Sequence, residues 1–329
     1  MFDNSWASAY ARNGARYYPK LQCCVPFTPV TGPRLLVRSE APEGLATTMA
    51  KGLTAVADAM DVSSVHVTFP TRAEADLLVQ DGWMMRTGLQ YHWTNRGYSN
   101  FADFEAALTQ KRRKVVRQER KKAQEGLVIR RLRGDDIKQH HWDAFYDFYC
   151  DTADKKWGTA CVFCHQAPRA VAFATDVWPR ADLTREFFDL LGANVGDSVM
   201  LMVAEEAEPG GGDIIAGALN LRGSEALFGR NWGCRVEKPF LHMELCYYQA
   251  IDEAIESKLS RVEAGAQGEH KMQRGYLATP TYSAHYIRQP DFRAAIGDFL
   301  TRETEQMRRA EAELLSMSPY KDAANANAE

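Results

Sequence analysis

Strands and helices alternate along the first 95 residues, and this alternation limits the possible folds more than any other feature of the sequence. Apolar residues at spacings of three and four predict a helix, whereas strict alternation predicts strands. Thr71 and Glu74 form a capping box, which marks the start of a second helix. Units of this kind imply an α/β fold with largely parallel strands. The expected order is a strand at 20–25, a loop, a helix at 43–60, a strand at 65–69, a helix after Thr71 and a strand at 89–93.

The remaining two thirds of the chain predict a second α/β region. With 329 residues the chain is longer than one hydrophobic core usually organises, so two domains are expected. A very polar helix over 101–125 separates the two regions, and the longest helix is expected from Phe240 to Leu259. The other predicted elements are strands at 127–132, 199–205, 214–221, 226–230 and 261–266, and helices at 135–150, 184–191 and 291–316.

Composition excludes several classes of protein. Hydrophobic residues make up 45% and charged residues 25%, which is typical of a soluble globular protein. The net charge of -3 provides no general attraction to DNA or to anionic lipid. No apolar run approaches the roughly 20 residues of a membrane helix, and residues 1–6 lack the pattern of a secretion signal. Seven cysteines, an odd number, then indicate reduced thiols. We expect a cytoplasmic protein with no membrane span and no DNA partner.

The densest set of chemically versatile side chains lies in residues 263–276, with the sequence EAGAQGEHKMQRGY. It begins at the end of a predicted inner strand, where ligands bind in open α/β sheets. A carboxylate, a histidine and two cations within a few residues are sufficient to bind an anion and to move a proton. The alternative is a charged, solvated loop after a strand.

Two further segments have the same character. Residues 228–234 (FGRNWGC) close a strand, and residues 239–245 (PFLHMEL) open the long helix. His242 and Glu244 then lie in the first helical turn, where free N–H groups and the helix dipole favour an anionic ligand. A buried, hydrogen-bonded histidine at the start of a helix explains His242 equally well.

These motifs resemble the Fem-like (FemAB-like) family of predicted N-acyltransferases, which is related to peptidoglycan aminoacyltransferases and to GNAT enzymes. The resemblance covers nearly the whole chain, and its most specific part is the run Gly265 to Lys271. The other matching segments are YYPKL (17–21), VPFTPVTGPRLL (25–36), KRRK (111–114), KWG (156–158), AGAL (216–219), GRNWGC (229–234), LHMELCYYQAI (241–251) and RGY (274–276).

The resemblance implies an α/β fold of two tandem GNAT-like (acyl-CoA N-acyltransferase type) domains, the first of them incomplete. Either the chain begins inside a longer gene product or its first domain lacks its first half. The domains implied are a partial GNAT-like domain at 1–98, the basic helix at 99–126, a second GNAT-like domain at 127–318 with an insertion at about 159–181, and a disordered tail at 319–329.

The implied reaction transfers an acyl or aminoacyl group to an amine, with a cell-wall precursor or another small molecule as acceptor. Such a transfer needs a base for the amine and donors for the oxyanion, but no serine or cysteine nucleophile. The candidate catalytic residues are Glu263, Glu269, His270 and Tyr276. The candidate substrate-binding residues are Arg230, Trp232, His242, Glu244, Tyr248, Gln267, Lys271 and Arg274, of which Lys271 and Arg274 would hold an anion and Tyr248 would be a second proton donor.

The donor is left open between acyl-CoA and aminoacyl-tRNA, with no tightly bound cofactor expected. No segment matches the GNAT phosphate loop cleanly. The topological equivalent in the first region contains Thr28, Thr31 and Gly32, but its prolines remove backbone donors; the second region offers only the Trp232–Leu241 segment. Eight Lys and Arg residues within 111–122 would suit a tRNA, although Glu119 and Glu125 among them also fit a solvated helix face.

The sequence leaves two further matters open. Cys161, Cys164 and His165 form a CxxCH motif, but haem attachment requires export and a zinc site lacks a fourth ligand. No metal site is therefore predicted, and the insertion is interpreted as a surface loop. The alternative to an enzyme is a non-catalytic binding protein that keeps a GNAT-like scaffold, because a fold alone does not fix a function.

Overall fold

The computed structural model describes residues 3–157 and 183–321, which form two compact units. The first unit contains Met1–Gln90 and Ala278–Met317, and the second contains Tyr91–Leu277 and the residues from Ser318 onward. The helices are α1 (Asn4–Arg12), α2 (Leu45–Ala59), α3 (Arg72–Gln80), α4 (Phe101–Ala107), α5 (Gln110–Ala123), α6 (Gln139–Trp157), α7 (Arg185–Val195), α8 (Leu241–Met243), α9 (Gln249–Glu256) and α10 (Pro290–Ser316). The strands are β1 (Leu21–Cys23), β2 (Ser64–Thr68), β3 (Met84–Thr94), β4 (Leu127–Arg133), β5 (Val199–Glu206), β6 (Ile214–Arg222), β7 (Ala226–Cys234), β8 (Arg261–Glu263) and β9 (Leu277–Ile287).

The first unit is built on strands in the order β1-β2-β9-β3. Its core is a cluster of buried apolar side chains that includes Val65, Leu78 and Trp83. The predicted capping box is confirmed: the Thr71 side chain accepts from the Glu74 backbone, and the Glu74 carboxylate accepts from that of Thr71. In the first unit, the expectation of largely parallel strands holds for β1 and β2. It does not hold for β2 and β3, because β9 lies between them and pairs antiparallel with β2.

The second unit orders its strands β3-β8-β7-β6-β5-β4. Strands β4 to β7 form an antiparallel meander, and β8 then lies parallel to β7. Helices α6 and α7 cover this meander with aromatic side chains such as Phe145 and Phe188. Gly233 allows the close approach of α6, because a Cβ atom there would stand 2.3 Å from the Phe148 carbonyl oxygen.

The units do not follow the predicted domain boundaries. Residues 278–317, expected in the second domain, belong to the first unit, because β9 pairs with β2 and α10 packs on α1. The predicted tail at 319–329 begins too early: Tyr320 is buried and its hydroxyl donates to the Gly275 carbonyl. The insertion at 159–181, with its CxxCH motif, lies outside the described residues.

Two predicted helices are corrected by the structure. The polar helix over 101–125 is two helices, α4 and α5, because Leu108 is extended and forms an isolated bridge with Tyr320. The helix expected from Phe240 to Leu259 ends at Glu256 and contains a π-helical turn at Glu244–Tyr248. At 27 residues, α10 is the longer helix. Among the described residues, no helix combines the length and the apolar character needed to span a membrane.

Candidate active site

The second unit contains an opening where β7 and β8 separate. The two strands pair in parallel from Ala226 and Arg261 up to Phe228 and Glu263. Beyond that point β7 stays with β6 as far as Cys234, whereas the chain after β8 continues along β3, with which β8 is already paired. There Ala264 N–H donates to the Tyr91 carbonyl, and Tyr91 N–H donates to the Gly265 carbonyl, both at 3.0 Å. The carboxyl ends of diverging strands are where open α/β sheets bind ligands.

Four side chains from both sides of this opening form one cluster, which we call the site cluster: Trp232, His242, Tyr247 and His270. The ring centroids of Trp232 and His242 are 5.1 Å apart, and those of His242 and His270 are 6.3 Å apart. Tyr247 connects them, because its ring lies 5.4 Å from His242 and its hydroxyl 3.1 Å from His270 Nε2. The structure therefore brings together three predicted residues, Trp232, His242 and His270, with one that the sequence analysis did not select.

His270 lies in a short 3-10 helix, Glu269–Arg274, which we call the site turn. Gly268 precedes it with a φ of +97°, and a Cβ atom at Gly268 would stand 2.6 Å from His270 Cε1. The imidazole therefore packs against the bare backbone of this glycine, which explains why glycine is needed here. Partial desolvation, with the positive charges of Arg274 and Lys271, lowers the pKa of His270. A neutral imidazole at pH 7 is able to accept a proton.

Three predicted ligand-binding residues are held in an internal network with α5. Arg274 pairs with Glu119 through two nitrogens at 2.8 and 3.1 Å, and the Tyr248 hydroxyl donates to the same carboxylate at 2.5 Å. Glu244 is fully buried and accepts from Arg120 at 3.0 Å. These donors and acceptors are occupied within the protein, which favours a structural role over direct contact with a substrate.

Three further predicted residues are also buried. The Lys271 ammonium donates to the Ala264 carbonyl, and burial lowers the pKa of Lys271 to about 8. The Tyr276 hydroxyl donates to the Tyr247 carbonyl at 3.1 Å. One oxygen of Glu263 accepts from Arg261 at 2.9 Å, while the other lies 3.8 Å from the His92 ring and accepts no hydrogen bond from the described part of the chain.

The remaining predicted residues of the second unit are exposed. Arg230 lies on β7 past the point of separation, Gln267 follows β8, and Glu269 begins the site turn. Their side chains are exposed to solvent and accessible to a ligand. Their roles stay predictions.

The predicted phosphate loop of the first unit is hydrogen-bonded to itself and its neighbours. Gly32 N–H donates to the Phe69 carbonyl at 3.1 Å, and Thr28 Oγ1 accepts from Val30 N–H at 3.4 Å. The Arg34 guanidinium donates to the carbonyls of Val30, Gly32, Pro33 and Thr68. Gly32 N–H is thus already used, and phosphate binding at Thr28 and Thr31 stays a prediction.

The basic helix α5 has two different faces. Its inner face carries Glu119 and Arg120, both engaged with the helices around the π-helical turn. Arg117 pairs with Glu105, and Arg112 donates to Gln273. The exposed side chains of the outer face are Lys111, Lys114, Arg117, Lys121 and Lys122. Both interpretations of this charge run, a tRNA contact and a solvated face, therefore concern the outer face, whereas the inner face is paired within the protein.

Two important residues were not found from the sequence. Tyr247 adjoins Tyr248, and the sequence analysis selected the latter; the π-helical turn decides which tyrosine faces His270. Turns of this kind are often found at functional sites. Glu119 was read as a solvated charge because a carboxylate within a basic run gives no sign of burial. No group of three or more potential metal ligands occurs in the described ranges 3–157 and 183–321.

The nine-stranded mixed sheet and the helices along the chain define an α/β protein. A family model matches residues 1–322, and the chain belongs to that family: the FemAB-like proteins, described as acting in peptidoglycan biosynthesis and recognition.

Among solved structures, FemX has a similar fold. FemX has 11% sequence identity and a TM-score of 0.50, with 83% of this chain and 85% of FemX covered. L-PGS from Bacillus licheniformis has 11% identity and a TM-score of 0.49, covering 80% and 79%. A tandem GNAT protein of the clavulanic acid biosynthesis pathway has 12% identity and a TM-score of 0.43, covering 80% and 77%. No curated protein matches the chain in sequence.

Proposed function

We propose that the protein is an N-acyltransferase that transfers an acyl or aminoacyl group to an amine of a peptidoglycan-related acceptor, with His270 as the base. The observation that carries the proposal is the exposed imidazole of His270 in the site cluster, with its Nε2 3.1 Å from the Tyr247 hydroxyl. Membership of the FemAB-like family supports the class of reaction and of acceptor.

The proposed step needs no covalent enzyme intermediate. The acceptor reaches the site as an ammonium, and His270 removes its proton so that the nitrogen lone pair can attack the donor carbonyl carbon. A C–N bond forms, and the C–S bond of a thioester or the C–O bond of an ester breaks. The proton first taken from the ammonium goes to solvent, and His270 then removes the second proton, which the attacking nitrogen must lose, and passes it to the leaving sulfur or oxygen. Tyr247 keeps the imidazole in place through its contact with Nε2.

The exposed polar side chains around the opening would bind the charged parts of the substrates. Arg230 provides a cation for an anionic acceptor or donor, and Gln267 provides an amide. Both acyl-CoA and aminoacyl-tRNA carry an activated carbonyl next to phosphates. The outer face of α5, with its five exposed basic side chains, favours a tRNA donor.

A transfer assay tests the proposal. The full chain is incubated with an amine-bearing peptidoglycan precursor and either acetyl-CoA or a mixture of aminoacyl-tRNAs, and mass spectrometry detects the modified acceptor. His270→Ala should lower the rate by about 10²- to 10⁴-fold, the usual contribution of a general base. His140→Ala is the matched control, because His140 is an exposed histidine outside the site cluster. Equal rates in His270→Ala and in the wild type would refute the role of His270.

A second candidate function is a non-catalytic binding protein. Six of the predicted site residues are buried and bonded within the protein, which would suit a scaffold as well as an enzyme: Glu244, Tyr248, Glu263, Lys271, Arg274 and Tyr276. Thermal stabilisation by the acceptor alone, with no transfer from either donor, would favour this alternative. Transfer from one donor would exclude it.

A further inference from the structure

Glu119 is a buried carboxylate on a helix whose other charges are mostly positive. Its exposure is 7%, and both of its oxygens are used. Oε1 accepts from Arg274 Nη2 at 2.8 Å; Oε2 accepts from Arg274 Nε at 3.1 Å and from the Tyr248 hydroxyl at 2.5 Å. A carboxylate in this geometry binds the guanidinium as a two-pronged fork, which fixes both its position and its plane.

The third nitrogen of the Arg274 guanidinium forms a hydrogen bond with the backbone of His270. Arg274 Nη1 donates to the His270 carbonyl oxygen at 2.8 Å. At the ends of the site turn, Lys271 N–H donates to the Gly268 carbonyl and Gly275 N–H to the Met272 carbonyl. Both glycines that flank the turn have positive φ values, and the Arg274 guanidinium joins the end of the turn to the His270 carbonyl near its start.

We propose that Glu119 is a positioning residue for His270: it holds Arg274, and Arg274 holds the backbone of His270, so that α5 sets the position of the imidazole in the site cluster. The proposal rests on the proposed role of His270 as the base. On this proposal, Glu119 on the inner face of α5 has a function that does not depend on any ligand bound to the outer face of that helix.

The charges around His270 make the link measurable. Arg274 and Lys271 on the site turn lower the pKa of the imidazole, and Glu119 on α5 raises it. Tyr247 and His242 are the other titratable groups that contact the ring. Replacing Glu119 with glutamine removes the negative charge and leaves Arg274 unneutralised, so the pKa of His270 should fall below its wild-type value.

The experiment compares the full-length wild type with Glu119→Gln and with Glu105→Gln. Glu105 is the matched control because it is also buried, at 8%, and pairs with Arg117 of α5, but within residues 3–157 and 183–321 it has no ion pair with the site turn. An NMR titration follows the imidazole of His270, identified by its loss in His270→Ala, and amide hydrogen exchange follows residues 269–275. Glu119→Gln should lower the pKa of His270 and speed exchange of the turn about tenfold. Glu105→Gln should change neither.

Each outcome decides the proposal. Equal His270 titrations in Glu119→Gln and wild type, or an equal response in Glu105→Gln, would overturn it. If Glu119→Gln does not fold, Arg274→Lys keeps the charge but loses the fork; unchanged exchange of the turn in that variant would also overturn the proposal. The readout needs no substrate, so a failed transfer assay with a positive NMR result would remove the proposed function and leave the positioning role.

Discussion

The first unit contains two fully buried histidines that share one hydrogen bond. His66 Nδ1 and His285 Nδ1 are 2.8 Å apart. The Tyr17 hydroxyl donates to the Asp3 carboxylate and therefore not to His66. His66 Nε2 lies 2.8 Å from the Ser64 hydroxyl, and one of the two Nδ1 atoms donates to the other. The Ser283 hydroxyl, 2.9 Å from His285 Nε2, completes a chain in which both imidazoles are neutral.

This neutral pair predicts a loss of stability in mild acid. Burial, assisted by the charge of Lys20, lowers the pKa of His66 from 6.5 to about 3, and burial likewise lowers the pKa of His285. The unfolded chain binds protons on both rings as the pH falls below about 6.5, whereas the folded chain does not. Stability is therefore present above pH 6.5 and is lost as the pH falls. Between pH 7.5 and 5.0 each histidine accounts for about 2 kcal/mol, or about 4 kcal/mol for the pair.

Urea unfolding at pH 7.5 and pH 5.0 measures this loss. In His66→Gln/His285→Gln the difference in unfolding free energy between the two pH values should shrink by about 4 kcal/mol, and in His285→Gln alone by about 2 kcal/mol. His140→Gln, at an exposed position, is the matched control and should keep the wild-type difference. An undiminished pH dependence in the double variant would show that the pair titrates in the folded protein and would refute the reasoning.

Three further predictions concern Gly268, the pH dependence of transfer through His270, and the hydrogen bonds of Glu74. Gly268→Ala should slow transfer by roughly 10- to 100-fold, because the new Cβ displaces the His270 ring; an unchanged rate would contradict the packing. Because the pKa of His270 is lowered, the acid limb of the kcat/KM profile should lie below pH 6.5, and a limb above that value would exclude His270 as the base. Glu74→Ala should cost about 2 kcal/mol of unfolding free energy, because the carboxylate accepts from the N–H groups of Arg34 and Leu35; a loss below about 0.5 kcal/mol would contradict this.

Local signals made much of the fold predictable. The capping box at Thr71 and Glu74 depends only on residues three apart, and the strands at β2, β5 and β6 carry continuous or alternating apolar runs. Strand β9 was not predicted, because its segment contains Pro280 and several polar residues and its pairing partner β2 is more than 200 residues away. Distant pairing leaves no periodic trace in a short window of sequence.

The candidate site shows the same difference between local sequence signals and contacts of distant residues. Local sequence patterns were enough to place His270, Lys271 and Arg274 in a glycine-flanked turn after a strand, because glycine and strand patterns act over a few residues. The availability of their side chains came from the three-dimensional packing: His270 is exposed, whereas Lys271 and Arg274 are bonded to Ala264 and Glu119. Whether a charged side chain is solvated or paired depends on the helix packed above it, here α5, and that packing brings together residues that are far apart along the chain.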